Sequence, residues 1–196
     1  MQDNLTDIVC VIDRSGSMDA MRSDAIGGFN SFLKAQQQLP GDARLTVVLF
    51  NHEYHLHDDG IPLQEAKPLG ETTYIPTGTT ALLDAVGRTI DNVGVRLAAT
   101  PEPERPGKVM VAILTDGLEN ASTDYSRDRV FEMIKHQREK YSWEFLFLAA
   151  NQDAIATAGS LAIPRQAAAT FQATGEGMQR AFMDINTRVT ASRRHQ

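Results

Sequence analysis

Cysteine is almost absent. Cys10 is the single one in 196 residues, so no disulfide can form within the chain. It sits inside an apolar run, where a thiol reads as an inert small hydrophobe. One thiol and no pairing point to a reducing compartment, the cytoplasm. A basic surplus is missing too. Lys and Arg number 19 against 25 Asp and Glu, a net charge of −6, which argues against a general nucleic-acid binder. The basic residues near the end, Arg188, Arg193 and Arg194, read as a solvated helix terminus with cations where its dipole favours them. No stretch approaches the roughly 18 apolar residues of a membrane span. The opening MQDNLTD lacks the basic and apolar regions of an export signal. The expectation is a chain that is neither membrane-embedded nor exported. What remains is ordinary for a globular domain, 42% apolar and 22% charged. Residues 1–196 are enough for one domain with a real core.

Continuous apolar runs occupy residues 8–12, 45–50, 109–114 and 145–150. Runs without polar alternation suit strands buried on both faces. Helical periods lie between them. Met18, Met21, Ala25, Phe29 and Phe32 share one face, as do Leu82, Val86, Ile90, Val93 and Leu97. Val130 and Ile134 follow Ser126 in a shorter helix. Met178, Phe182, Ile185 and Val189 mark a last one, with Thr174 as its N-cap. The alternation predicts an α/β fold: a doubly wound, mostly parallel sheet with helices on both faces. The polar stretch after the second strand, residues 51–69, predicts a short antiparallel edge strand or hairpin. Proline-rich residues 100–107 predict an exposed loop.

In such sheets ligands bind beyond the carboxyl ends of the strands. The first strand ends in Asp13-Arg14-Ser15-Gly16-Ser17, one carboxylate and two hydroxyls around a glycine. The loop before the second long helix holds Gly78-Thr79-Thr80-Ala81-Leu82. The third long strand ends in Leu114-Thr115-Asp116-Gly117. Three loops thus bring carboxylates and hydroxyls to one edge, with no histidine or cysteine among them. Oxygen donors alone select a hard divalent cation, Mg²⁺ first, with Mn²⁺ or Ca²⁺ as alternatives.

Together these segments resemble the von Willebrand factor type A (vWA) family. Asp13-Arg14-Ser15-Gly16-Ser17 matches its Asp-x-Ser-x-Ser signature, Thr80 its threonine and Asp116 its second aspartate. Thr80 is preferred to Thr79 because in similar bacterial sequences the threonine directly precedes Ala-Leu. The resemblance covers roughly residues 5–150. Residues 151–196 would pack on that core as a helical region. The family implies a Rossmann-like fold and a metal-ion-dependent adhesion site (MIDAS) built from Asp13, Ser15, Ser17, Thr80 and Asp116. The serines would touch the metal directly. The threonine and the aspartates would bind directly or through water. A partner protein's Asp or Glu would fill the last position. Stand-alone members of this kind are bacterial or phage-encoded. The implied function is a metal-dependent protein-binding module and not an enzyme.

Two other readings stand beside it. One is a subunit of an ATPase-associated or stress-resistance complex. The other is a metal-dependent hydrolase, such as a phosphatase of the haloacid dehalogenase type. The hydrolase needs an Asp-x-Asp pair, and Ser15 stands where its second Asp belongs. Neither a phosphate-binding Gly-x-x-x-x-Gly-Lys loop nor a Gly-x-Ser-x-Gly elbow occurs.

Smaller features have both sharp and plain readings. His52, His55 and His57, with Asp58 and Asp59 nearby, suggest zinc, but an exposed polar edge strand explains them better. Glu119 and Asn120 are either rim residues or ordinary loop polarity. Arg14 and Met18 flank the metal loop as candidate rim contacts. Asn151 is the expected N-cap of a helix after the fourth long strand, with Asp153 in its first turn.

Overall fold

The computed structural model describes residues 1–150 and 153–194. Its strands are β1 (Gln2–Asp13), β2 (Asp42–Phe50), β3 (Tyr54–Pro62), β4 (Pro106–Thr115), β5 (Glu144–Ala150) and β6 (Ala168–Phe171). They form one sheet in the order β3-β2-β1-β4-β5-β6. All neighbours are parallel except β3, which runs antiparallel to β2 at the edge. The helices are α1 (Arg22–Gln37), α2 (Leu82–Ala99), α3 (Arg127–Tyr141), α4 (Ala154–Gly159) and α5 (Gly175–Arg194).

The unbroken apolar runs arise because both sheet faces are covered. Alternate residues of β1 serve opposite cores. Ile8, Cys10 and Ile12 pack with Phe29 and Phe32 of α1 and with Phe182, Ile185 and Val189 of α5. Val9 and Val11 pack with Leu82, Val86 and Ile90 of α2, Val130 and Ile134 of α3, and Ala154 and Ala158 of α4. The doubly wound, mostly parallel sheet is therefore the observed fold. Among the described residues no helix is long and apolar enough to cross a membrane.

From β1 the chain crosses to β2 on one side and later to β4 on the other. That reversal is the switch point at which open α/β sheets leave a crevice. Asp13 is the last residue of β1, and Asp116 follows the last residue of β4.

Several expectations need correction. Met18 is no rim residue. It lies in the 3-10 turn Gly16–Met21 and is fully buried against α1. Arg193 is not solvated. It is 5% exposed, and its Nη1 donates to Gln36 O (2.8 Å) and Gln36 Oε1 (3.0 Å) at the end of α1. Asp153 is itself the N-cap of α4, accepting from Ile155 N and Ala156 N. Asn151, the expected cap, lies outside the described residues. Thr174 does cap α5, accepting from Gly177 N at 3.1 Å. A sixth strand, β6, was not foreseen. One buried ion pair crosses a sheet face: Arg96 Nη1 on α2 lies 3.0 Å from Asp7 Oδ2 on β1. Arg96 Nε also meets Asp59 Oδ1 at 3.1 Å.

Candidate metal centre

Asp13 ends β1 with no exposed surface. The chain turns at once, because Ser15 N–H donates to Asp13 Oδ1 at 2.6 Å. This Asx-type turn brings the Ser15 and Ser17 hydroxyls to 3.2 Å from each other. The other Asp13 oxygen, Oδ2, accepts from Thr115 Oγ1 at 2.6 Å. Tyr74, fully buried, donates its hydroxyl to Asp13 O at 2.6 Å. Asp13 is thus fixed from β4 and from the loop before α2.

Asp116 joins from beyond β4, where its Oδ1 accepts from Ser17 Oγ at 2.7 Å. Thr80 joins from the loop before α2. It is 3% exposed, while its neighbour Thr79 is exposed to solvent. Asn120 holds Thr80 from both sides: Thr80 N–H donates to Asn120 Oδ1 (2.9 Å), and Asn120 N–H donates to Thr80 O (3.0 Å). Gly117 shows where these groups meet. A Cβ there would lie 2.9 Å from Thr80 Oγ1 and 3.7 Å from Ser17 Oγ. All five residues singled out from the sequence therefore gather around one small space.

The loops are tied to each other as well as to the sheet. Gly16 N–H donates to Gly78 O (3.0 Å), and Thr77 N–H donates to Arg14 O (2.9 Å). Gly78 has φ +73, and its bare face receives the His52 ring where a Cβ would otherwise sit. Asn51, buried at the end of β2, donates Nδ2 to Thr77 O (2.8 Å) and accepts from Ala81 N at its carbonyl (2.8 Å). Glu119 is a brace and not a rim ligand. Its carboxylate accepts from Leu83 N, Ala121 N, Ser122 N and Ser122 Oγ.

Burial pushes the Asp13 carboxyl up to about 6, against the hydrogen bonds from Thr115 and Ser15, and the charge of Asp116 adds to the rise. Asp116 is raised by burial as well, opposed by its bond from Ser17. Two carboxylates held close in a partly dry cleft carry negative charge at a cost that a cation offsets. Two carboxylates and three hydroxyls fit a hard divalent ion, and Gly117 leaves the space open.

The histidines do not make a second centre. His55 and His57 lie on β3 with ring centroids 6.1 Å apart. Among the described residues no group of three or more His, Cys, Asp or Glu is arranged to hold a metal. The five-residue set escapes that pattern because its majority is hydroxyl. Sequence reasoning missed Thr115, Tyr74 and Asn51 as braces. Thr115 carried a signal, a hydroxyl beside the strand-end Asp116. Tyr74 and Asn51 carried none.

No protein-family model matches the sequence, and no curated protein matches it. Solved structures do match. Proximal thread matrix protein 1 from the mussel byssus, with a zinc-occupied MIDAS motif, gives a TM-score of 0.62 at 17% identity, covering 96% of this chain and 47% of that one. This chain thus spans about half the length of that protein. The vWF domain of the type V pili tip protein Mfa5 from Porphyromonas gingivalis gives 0.64 at 13% identity, covering 95% of each chain. The manganese-loaded TRAP protein of Plasmodium vivax gives 0.56 at 18% identity, covering 74% of this chain and 57% of that one. Likeness at these identities speaks for the fold alone, and the fold of this chain is that of von Willebrand factor type A domains.

Proposed function

We propose that this chain is a divalent-metal-dependent protein-binding module. Asp13, Ser15, Ser17, Thr80 and Asp116 would hold one cation, Mg²⁺, and a partner's Asp or Glu would complete its shell. The observation that carries this is the Ser17–Asp116 contact, which joins the Asp13 loop to the β4 loop through side chains that are all metal donors. A bound divalent cation supplies electrostatic attraction for a carboxylate. The residues supply the rest. Ser15, Ser17 and Thr80 add ligation without charge, so with one aspartate bound directly the ion would keep a net positive charge that attracts an external carboxylate. Thr115 and Tyr74 keep Asp13 from turning away. Likeness to a mussel byssus protein with a zinc-occupied MIDAS motif and to a manganese-loaded TRAP protein supports a divalent metal for this chain.

The module acts by binding and not by turnover. Both Asp13 oxygens already accept hydrogen bonds from Ser15 and Thr115, which suits a holding role better than attack on a substrate. Thermal melts with and without Mg²⁺ test the proposal on the wild type, Asp13→Ala and Ser15→Ala. Stabilisation of the wild type only is expected. Equal magnesium shifts in all three would remove the site. Turnover of a generic phosphatase substrate with Mn²⁺, abolished in Asp13→Ala, would replace binding with catalysis.

A further inference from the structure

We infer that the partner reaches this site with an acidic residue flanked by apolar side chains, received by Ile75 and Leu118, with Arg14 as the cationic side of the rim. This rests on the metal-dependent reading above and names the chemistry of its partner.

Ile75 is 48% exposed and Leu118 64% exposed, and neither belongs to either core. A lone exposed aliphatic residue is ordinary on a soluble protein. These two stand on separate loops that both hold the donor set. Ile75 follows Tyr74, whose hydroxyl donates to Asp13 O, and Thr77 donates to Arg14 O two residues later. Leu118 follows Gly117, which abuts Thr80 and Ser17, and precedes Glu119 and Asn120, both tied to the start of α2. Both side chains present apolar surface outside the cores, and Leu118 adjoins Gly117, which lies against Ser17, the exposed donor.

Charge points the same way. The chain carries −6 overall, so an acidic partner needs a local attraction. Arg14 lies one residue beyond Asp13 and is half-buried. Its Nε is buried, and its guanidinium makes no salt bridge among the described residues. His55 lies within reach of its charge. A carboxylate-bearing segment supplies the counter-charge that the Arg14 guanidinium lacks.

A random peptide display library panned on the whole chain in Mg²⁺ and eluted with EDTA tests this. Eluted peptides should carry Asp or Glu with Leu, Ile, Val, Met or Phe beside it. Their affinity should fall about tenfold or more in the double variant Ile75→Ser/Leu118→Ser, as expected for two uncovered aliphatic contacts. That variant should keep the wild-type magnesium shift, because neither side chain lies in the donor set. Arg14→Gln should weaken the same peptides and flatten their salt dependence. Acidic peptides with no apolar neighbours, or peptides that bind the double variant equally well, would overturn the inference and leave the metal–carboxylate reading standing. EDTA-eluted peptides without any acidic residue, or none at all, would overturn both.

Discussion

Ser17 Oγ donates a 2.7 Å hydrogen bond to Asp116 Oδ1 across 99 positions of sequence. The contact closes the loop after β1 onto the loop after β4, at the switch point of the sheet. Asp116→Asn keeps an acceptor for Ser17 and removes a charge that burial disfavours. The metal-free variant should melt no lower than wild type. Its magnesium shift should vanish. Destabilisation together with an intact shift would make Asp116 a structural residue only.

The Asp13 carboxyl gives a pH signature. Its folded value is about 6 against 3.8 when unperturbed. A raised folded value means stability is fully present at low pH and is lost as pH rises through the folded value. Metal-free protein should therefore lose stability between about pH 4 and 6 on account of Asp13, by roughly 1–3 kcal/mol. Metal needs the ionised carboxylate, so the magnesium shift should grow over that same interval. Melts from about pH 3.5 to 7 with and without Mg²⁺ check both slopes. A shift independent of pH would count against Asp13 as a donor.

Gly117 is small because Thr80 and Ser17 need the room. Gly117→Ala would press a methyl against Thr80 Oγ1 while leaving the core untouched. Metal affinity, read by isothermal titration, should fall about tenfold or more, the scale seen when groups that orient metal ligands are disturbed. Thr80→Val should do the same. Thr79→Val, an exposed change, should not. Equal losses from Thr79 and Thr80 would return the choice between them to the sequence.

Asp7 and Arg96 form a buried pair on the α2 side of the sheet. Arg96→Ala strands a carboxylate that has no exposed surface, at a cost of about 3 kcal/mol. Because burial already raises Asp7, the stranded group is expected to take up a proton, so the loss should deepen as pH rises. Arg96→Met with Asp7→Asn should recover part of the loss in urea titrations. A double variant no better than Arg96→Ala alone would show that the charge was not the problem.

The four long parallel strands were legible because burial on both faces writes itself as unbroken apolar runs. The α1, α2 and α5 faces were legible from their period. β6 was hidden, since Ala168–Phe171 is four residues with little apolar bulk. Arg193 was misread because cations at a helix terminus usually face water, and only the α1–α5 packing reveals the Gln36 carbonyl that accepts its hydrogen bond. At the candidate site, Asp13 and Asp116 were legible as carboxylates at strand ends, and Thr80 as a hydroxyl before a helix. Braces were not: Tyr74 reaches Asp13 from 61 positions away, and nothing local marks that contact.

Amide resonances recorded during a Mn²⁺ titration offer the most direct measurement. The account predicts that substoichiometric Mn²⁺ broadens Ser15, Ser17, Thr80 and Gly117 first and together, with excess Mg²⁺ restoring them. Broadening centred on His52, His55 and His57, or scattered over surface carboxylates, would contradict it.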